Sequence, residues 1–254
     1  MPDNLIQKTA KAIHDAKIVT ILTGAGVSKE SGVPTFRDAL EGLWEQYNPQ
    51  ELATPIAFIN NPKLVWDWYE WRRKLAGDVS PNAGHIALAK LQDFKPNLHL
   101  ITQNVDDLHE QAGSKDVIHL HGNIATHKCF DNCQGIPTLI DITTIFYEED
   151  DGPPICPDCG ANVRPNVVWF GENLPRRELN QAIEYSQLCD VMIVVGTSGM
   201  VSPASDLPRM AKQKGAIIIE VNPDTSTITH YADIKLDGAS GEILPQIIEA
   251  LDDI

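Results

Sequence analysis

The stretch Lys17-Ile-Val-Thr-Ile-Leu-Thr-Gly-Ala-Gly-Val-Ser-Lys-Glu-Ser-Gly-Val-Pro-Thr-Phe-Arg37 carries the clearest structural signal in this chain. Its apolar, β-branched beginning predicts a buried β-strand. Gly24 and Gly26 then interrupt the strand, and a turn of this kind lets backbone N–H groups approach a phosphate closely. A helix that begins behind the turn would add its dipole to the attraction. We therefore expect the turn to bind a dinucleotide.

The turn departs from the glycine fingerprint of enzymes that transfer a hydride. After Gly24 and Gly26 the third glycine of that fingerprint would fall at position 29, which is Lys29. The two glycines alone are weak evidence. They are followed by Gly32-Val-Pro-Thr-Phe-Arg37, which has no role in a plain phosphate turn. The stretch thus indicates a nucleotide ligand but not a dehydrogenase.

Length and composition predict an ordinary globular protein. The 254 residues suffice for one large domain, or for one plus a small one. No apolar run approaches the roughly 20 residues of a membrane helix, and no signal peptide is visible, so we expect a cytoplasmic protein without membrane contact. The net charge of −15 disfavours nucleic acid as a partner. It would attract lysine-rich peptides, although simple solubility explains the charge equally well.

Short apolar runs alternate with helical periodicity along the rest of the chain. Runs that are apolar on both faces, with helices between them, are typical of a parallel sheet covered on two sides. We therefore predict an α/β fold with a Rossmann-like parallel sheet. The predicted strands are 17–23, 98–102, 117–120, 167–170, 191–195, 216–221 and 234–236, and predicted helices include 3–15, 84–94 and 241–251.

Two inserts interrupt this alternation and predict a smaller second module. One is a helical segment at about 40–80 that holds four of the five tryptophans, Trp44, Trp66, Trp68 and Trp71, which we expect to be core residues. The other, at about 125–165, carries paired cysteines. Within a single region 1–254, the Rossmann-like parts are then about 1–39, 81–124 and 166–254.

Four of the five cysteines form two close pairs, Cys129-x3-Cys133 and Cys156-x2-Cys159. Two short pairs from separate turns can place four thiolates at the corners of a tetrahedron, and four thiolates leave no position for water. We therefore predict one structural zinc ion. Ligation of an iron–sulfur cluster is a weaker alternative. Cys189 is expected to be a packed thiol.

Polar residues follow four of the predicted strands, at 102–107, 119–122, 196–198 and Asn222. In a doubly wound sheet, ligands bind at the carboxyl ends of the strands, so we expect these segments to converge. His121 is the best candidate for a general base, because imidazole titrates near neutral pH and the following glycine allows close approach of a substrate.

Taken together, these motifs resemble the sirtuin family, in the family's order and over nearly the whole chain. The residues that carry the resemblance are Gly24-Ala-Gly-Val-Ser28, Gly32-Val-Pro-Thr-Phe-Arg37, Thr102-Gln-Asn-Val-Asp106, His121-Gly122, the four paired cysteines, Trp169-Phe-Gly-Glu172, Gly196-Thr-Ser198 and Val221-Asn222. The resemblance implies an NAD-dependent protein-lysine deacylase. NAD would be consumed as a co-substrate, and acyl-lysine proteins or peptides would be the partners.

The resemblance also implies roles for individual residues. Gln103 would hold the nicotinamide ribose, Asn104 and Asp106 would line the nicotinamide pocket, and His121 would deprotonate a ribose hydroxyl. Trp169-Phe-Gly-Glu172, with Phe170, Gly171 and Glu172, would form the edge to which a substrate peptide adds as a strand. By similarity, the cofactor-binding residues are Gly24, Ala25, Gly26, Ser28, Thr35, Phe36, Arg37, Gln103, Asn104, Asp106, Gly196, Thr197, Ser198, Asn222 and Ala239.

The acyl group is suggested by Tyr69-Glu-Trp-Arg72, which resembles the mark of the subclass that prefers acidic acyl groups. Positions i and i+3 share one face of a helix. A guanidinium grips a carboxylate at two points, and a phenol adds one hydrogen bond. We therefore expect succinyl or malonyl groups to be removed as well as acetyl. Alternatively, Tyr69 is a core residue and Arg72 is solvated.

Three rival functions remain open at this point. Mono-ADP-ribosyl transfer to protein uses the same cleavage of NAD with another acceptor. A non-catalytic module that senses NAD or ADP-ribose would not need His121, Asn104 and Asp106 together. A nucleic-acid-binding zinc ribbon is disfavoured by the negative charge. The other histidines, His85, His99, His109, His119 and His127, show no pattern of partners and are given no chemical role.

Overall fold

The computed structural model describes residues 2–33, 48–148 and 151–254. Of the residues singled out above, Thr35, Phe36, Arg37 and Trp44 lie outside the described residues. The helices are α1 (Pro2–Asp15), α2 (Gly26–Lys29), α3 (Pro49–Leu52), α4 (Pro55–Asn60), α5 (Pro62–Gly77), α6 (Ala83–Phe94), α7 (Leu108–Gln111), α8 (Arg176–Leu188), α9 (Leu207–Gln213) and α10 (Ser240–Asp252). The strands are β1 (Val19–Thr23), β2 (Leu98–Thr102), β3 (Ile118–His119), β4 (Gly122–Cys129), β5 (Leu139–Ile140), β6 (Val163–Val167), β7 (Val191–Val195), β8 (Ile217–Val221) and β9 (Ile234–Leu236).

The main sheet has six strands in the order β3-β2-β1-β7-β8-β9, and all of its pairings are parallel. Every residue of β1 and β7 is buried. Because side chains alternate between the faces of a strand, one set of apolar residues must serve each face. In β1, Val19 and Ile21 join one core cluster, whereas Leu22 joins the other. The predicted α/β fold with a parallel sheet is confirmed.

Helices cover both faces of this sheet. The apolar residues of α1, α6 and α10 pack on the face that carries Val19 and Ile21. Residues Ala182 of α8 and Leu207 and Ala211 of α9 pack on the face that carries Leu22. β7 is therefore apolar throughout, and the two threonines of β1 are buried, because neither face of these strands meets water.

The chain reverses its direction of travel across the sheet between β1 and β7. From β1 it proceeds outward to β2 and β3, and later it returns to the other side of β1 to form β7, β8 and β9. The carboxyl ends of strands at such a switch point leave a crevice between diverging loops. At this edge the glycine turn follows β1, and the four predicted polar segments follow β2, β3, β7 and β8.

A second, antiparallel sheet has the order β5-β4-β6. The prediction of a strand at 167–170 in the main sheet is wrong. Val167 ends β6 in this second sheet, and the chain then turns. The segment is apolar because Val167 and Trp169 pack in a core cluster with residues of α4 and α5, not because it forms a central strand.

Helices α3, α4 and α5 account for the described part of the tryptophan-rich segment. Trp66 and Trp68 are each 1% exposed, which confirms the expectation of core positions for these two. Trp71 packs against the same cluster as Trp68.

Within the part of the chain that the structure describes, no helix is both long and apolar enough to cross a membrane. The division into domains given above stays a prediction.

Candidate active site and metal centre

The glycine turn after β1 packs backbone against backbone on the turn after β7. The Gly24 N–H donates to the Val195 carbonyl at 3.0 Å, and the Gly26 N–H donates to the Gly196 carbonyl at 2.8 Å. A Cβ on Gly26 would lie 2.7 Å from the Gly196 oxygen, and a Cβ on Gly196 would lie 2.6 Å from the Val27 nitrogen. Gly196 also has a φ of +60°. The two turns therefore need glycine on both sides to lie this close together.

Replacement of Gly26 by Ala should lower the free energy of unfolding by about 1–3 kcal/mol, because a methyl group must force the two turns apart. The same shift should weaken the binding of NAD. Gly77→Ala is the matched control, since a Cβ there would have no heavy atom within 4 Å. Urea unfolding and NAD titration of both variants check this. Equal unfolding free energies for the two variants would contradict the packing argument.

His121 is held in one tautomer by Gln103, the residue that follows β2. Its Nδ1 lies 2.8 Å from the carbonyl oxygen of Gln103. A carbonyl oxygen only accepts, so Nδ1 carries the proton and Nε2 keeps a lone pair. Burial lowers the pKa of His121, and the hydrogen bond to Gln103 opposes the shift. The imidazole is therefore neutral at neutral pH, with Nε2 able to accept a proton.

Polar side chains join the ends of three strands beside His121. Gln103 Nε2 donates to Thr197 Oγ1 at 3.0 Å, and Asn222 Nδ2 donates to the Thr197 carbonyl at 3.0 Å. These contacts link the loops that follow β2, β7 and β8. The loops after these strands therefore meet at one edge of the sheet, as their position at the carboxyl ends predicts.

Ser28, Asn104 and Asp106 form a buried polar group close to the glycine turn. All three side chains are largely buried. Asn104 Nδ2 donates to Ser28 Oγ at 2.9 Å. Burial raises the pKa of the Asp106 carboxyl, while hydrogen bonds from the Ser28 hydroxyl and the Leu108 N–H oppose the shift. An amide oxygen and a carboxylate are thus held rigidly in the crevice.

His85 orients the Ser28 hydroxyl, a role that sequence analysis missed. The Asn82 N–H donates to His85 Nδ1 at 3.3 Å, so the neutral ring carries its proton on Nε2. That nitrogen lies 3.4 Å from Ser28 Oγ. Burial lowers the pKa of His85 to about 4, which keeps the ring neutral. Because Ser28 Oγ accepts from both His85 and Asn104, its own proton is left for Asp106.

The predicted cofactor-binding residue Ala239 lies at the start of α10. Ala239 is the residue before this helix. Glu30 ties this start to the glycine turn, since its Oε2 accepts from Ser240 Oγ and from the Gly241 N–H, each at 2.8 Å. Ala25 precedes α2 on the other side of that link. On the loop after β7, the Ser198 carbonyl accepts from the Thr227 N–H at 3.3 Å.

The predicted substrate edge is an exposed turn on a buried support. The Phe170 N–H donates to the Ala53 carbonyl at 2.9 Å, and the Phe170 side chain is 50% exposed. Gly171 follows with a φ of +87°. Glu172 is engaged inside the protein: Arg164 donates to its two carboxylate oxygens at 2.6 and 3.0 Å. Glu172 therefore shapes the turn through its side chain.

Arg164 supports the same turn from below. It is 2% exposed, and its guanidinium carbon lies 3.2 Å from the centroid of the Trp169 ring. The backbone N–H of Trp169 donates to Glu172 Oε2 at 2.8 Å. A guanidinium between an indole face and a carboxylate fixes both groups at once. No sequence motif pointed to Arg164.

Tyr69 and Arg72 lie directly beneath this edge. Tyr69 is 3% exposed, and its hydroxyl accepts a hydrogen bond from Trp169 Nε1 at 3.0 Å. The guanidinium carbon of Arg72 lies 5.8 Å from the centroid of the Tyr69 ring and 4.9 Å from that of Trp68. Burial lowers the pKa of Arg72, against the opposing influence of Tyr69. Tyr69 is thus a core residue, as the alternative expected, whereas Arg72 is partly buried against two aromatic rings.

The four paired cysteines converge in the small antiparallel sheet. Their sulfurs all lie within 4.8 Å of one another. Cys129 Sγ is 3.5 Å from Cys159 Sγ, and Cys133 Sγ is 3.8 Å from Cys156 Sγ. A zinc ion with Zn–S bonds of about 2.3 Å has S···S edges of about 3.8 Å. The four residues could therefore hold one tetrahedral zinc ion.

Both a family profile and individual known sequences match this chain. The sequence profile of the Sir2 family matches residues 24–203. A relative from Pseudomonas aeruginosa, NAD-dependent protein deacylase 1, is 48% identical over 247 residues, which cover 96% of this chain and 98% of the relative. The NAD-dependent protein deacylase of Pyrococcus furiosus is 46% identical over 247 residues, covering 97% of this chain and 98% of the relative.

Solved structures show the same relationship. A crystal structure of a Sir2 homolog in complex with NAD matches with a TM-score of 0.87 and 44% identity, covering 97% of this chain and 93% of that chain. A Sir2 protein bound to a myristoylated histone peptide matches with a TM-score of 0.76 and 33% identity, covering 98% of this chain and 97% of that chain.

Proposed function

The chain belongs to the Sir2 family and is an NAD-dependent protein deacylase; we propose that it removes succinyl and malonyl as well as acetyl groups from lysine, giving nicotinamide and O-acyl-ADP-ribose. The observation that carries the proposal is the position of His121. Its Nε2 is free to accept a proton at the crevice where the loops of four strands meet. The names of the relatives favour deacylation over mono-ADP-ribosyl transfer and over a sensing module.

Three segments that are proposed to bind NAD are linked by side-chain contacts. The glycine turn, the Gln103–Asp106 loop and the start of α10 are linked to one another by the contacts of Thr197, Ser28 and Glu30. Bound NAD would supply an electrophilic ribose carbon and a ribose hydroxyl. We propose that the turn at 24–28 surrounds the diphosphate, and that Ser198, Asn222 and the backbone near Ala239 bind the adenosine half. Thr35, Phe36 and Arg37 keep the cofactor-binding role that the resemblance implies.

His121 acts as the general base in this proposal. Its Nδ1–H is fixed on the Gln103 carbonyl, so Nε2 accepts the proton of a ribose hydroxyl without a change of tautomer. Gln103, whose carbonyl holds His121, is also proposed to bind the ribose through its side chain. That side chain reaches Thr197 on the loop after β7. The hydrogen bond from His121 to the Gln103 carbonyl thus links the proposed base to the residue proposed to position the ribose.

Asn104 and Asp106 bind the carboxamide of nicotinamide in this proposal. Asn104 uses its amide nitrogen on Ser28, which leaves its amide oxygen to accept from the carboxamide. Asp106 is buried, and a dry pocket strengthens its hydrogen bonds. Cleavage of the bond between nicotinamide and the ribose is favoured when the pocket holds the nicotinamide away from water.

The substrate peptide is proposed to lie along Phe170 and Gly171. The exposed Phe170 and its neighbouring turn offer a surface to which an extended segment can add. The solved Sir2 protein with a myristoylated histone peptide supports acyl-lysine peptides as the substrate class. A chain charge of −15 favours peptides rich in lysine. A cytoplasmic location and the lack of a nucleic-acid partner stay predictions.

The acidic acyl group is proposed to meet Tyr69 and Arg72. Arg72→Met should lower kcat/KM for a succinyl-lysine peptide by about 10- to 100-fold, since hydrogen bonds to a charged group contribute about 1.5–3 kcal/mol. The same variant should lower the value for an acetyl-lysine peptide much less. Lys74→Met, on the exposed side of α5, is the control. A panel of peptides with equal sequence and different acyl groups measures this. Unchanged desuccinylation in Arg72→Met would contradict the carboxylate grip.

A further inference from the structure

His119 at the end of β3 and His121 two residues later contact the carbonyls of two successive residues in the loop after β2. His121 Nδ1 donates to the Gln103 carbonyl at 2.8 Å, and His119 Nδ1 lies 3.4 Å from the Asn104 carbonyl. Leu120, between them, is fully buried in the core on the opposite side. The histidine pair therefore fixes the backbone of the loop that leads to Asp106.

His119 carries a positive charge in this arrangement. Its Nε2 lies 2.6 Å from Glu110 Oε1, while its Nδ1 faces the Asn104 carbonyl. Both ring nitrogens thus face acceptors, and only the doubly protonated ring donates at both. Burial alone would lower the pKa of His119, but the hydrogen bond and charge of Glu110 raise it above its ordinary value.

The charged and titratable groups that face His119 come from two elements. Glu110 and His109 belong to α7, and Asp106 belongs to the loop before it. His109 is neutral, because burial lowers its pKa to about 3. The charge of His119 favours the ionised form of Asp106, against the burial that disfavours it. His119 thus acts on the position and on the charge of the loop.

We infer that His119, as an imidazolium paired with Glu110, is a positioning residue that holds the Gln103–Asp106 loop in the form that binds nicotinamide. This inference rests on the proposed function, since it assigns a support to the pocket of Asn104 and Asp106. Loss of the pair should weaken the return of nicotinamide to the pocket more than it weakens deacylation.

The test compares His119→Gln, Glu110→Gln and His14→Gln. His14 is an exposed histidine beside Asp15 on α1 and serves as the matched control. The readouts are exchange of labelled nicotinamide into NAD and deacylation of an acetyl-lysine peptide, each from pH 6 to 8. Both site variants should lower exchange at pH 7.5 by about three- to tenfold, with a smaller fall in deacylation and no change in His14→Gln.

Glu110→Gln separates charge from structure. Without the carboxylate, burial lowers the pKa of His119, so exchange in this variant should fall more steeply than in wild type as pH rises from 6 to 8. Glu110 is 39% exposed, so this variant keeps the test valid if His119→Gln misfolds. Equal exchange in all proteins, or an equal loss at every pH, would overturn the inference. Absence of turnover in wild type would instead overturn the proposed function itself.

Discussion

Replacement of His121 by Ala is expected to lower kcat for lysine deacylation by about 10²- to 10⁴-fold, the usual contribution of a positioned general base. The Nε2 lone pair is what the variant removes. The hydrogen bonds from Gln103 to Thr197 and from Asn104 to Ser28 do not include the imidazole. Binding of ADP-ribose should therefore persist, which separates a catalytic defect from a binding defect. Steady-state kinetics and calorimetric titration of ADP-ribose check both halves.

The pH profile gives this prediction a second arm. Burial lowers the pKa of His121 below 6.5, so the base is neutral at pH 7 and becomes protonated only at lower pH. The acid limb of kcat/KM should lie below pH 6.5, because activity is lost as pH falls through the lowered pKa of the free enzyme. His14→Ala, on the surface of α1, should leave kcat unchanged. Full activity of His121→Ala would remove His121 from the chemistry.

Loss of the metal centre should lower deacylation at least as much as loss of His121, because it should destabilise the fold. We expect Cys156→Ala to release one equivalent of zinc per chain and to abolish deacylation. Structural zinc sites contribute an apparent binding free energy of about 10–16 kcal/mol, which becomes free energy of folding. The small sheet depends on this term, since Cys129 and Cys156 are part of its core cluster. That sheet leads directly to Val167 and the substrate edge.

Cys189→Ala is the matched control for the metal prediction. Cys189 is also buried, but it packs under the main sheet, away from the other four cysteines. Elemental analysis should find one zinc in this variant and none in Cys156→Ala, and only the former should turn over an acetyl-lysine peptide. Full zinc content in Cys156→Ala would contradict the proposed tetrahedral site. Iron in the purified protein would favour the cluster alternative.

The strands of the main sheet were predictable because they are buried on both faces. The patterns at 98–102, 191–195 and 234–236 match the observed strands β2, β7 and β9 residue for residue. The segment 167–170 misled because its apolar side chains serve a turn that packs on helices. Periodicity reports burial, and a short buried turn gives the same signal as a strand.

The glycine turn shows what the sequence alone could not supply. The two glycines suggest approach to a phosphate, but their packing partner is Gly196, which lies 170 positions after Gly26 in the numbering. A third glycine therefore exists in space, although position 29 is a lysine. Only the pairing of β1 with β7 brings it next to the turn.

The supporting residues of the site were also beyond sequence analysis. His85 acts on Ser28, 57 positions earlier in the chain. His119 and Arg164 act on Asn104 and Glu172, which are 15 and 8 positions away, and no local motif links these pairs. One local signal was available for His85, since Asn82 and His85 form a capping box at the start of α6. The groups proposed to touch NAD could be found because they follow strands of a doubly wound sheet, where the topology fixes their edge.

The most direct test of the central claim follows the acyl group during turnover of an acyl-lysine peptide with NAD. Mass spectrometry of the products, with the acyl carbon labelled, measures where the group goes. The account predicts that the label appears on ADP-ribose, in equal amounts with nicotinamide and the free lysine peptide. Label released as the free acid with NAD intact, or ADP-ribose attached to protein with the peptide still acylated, would contradict it.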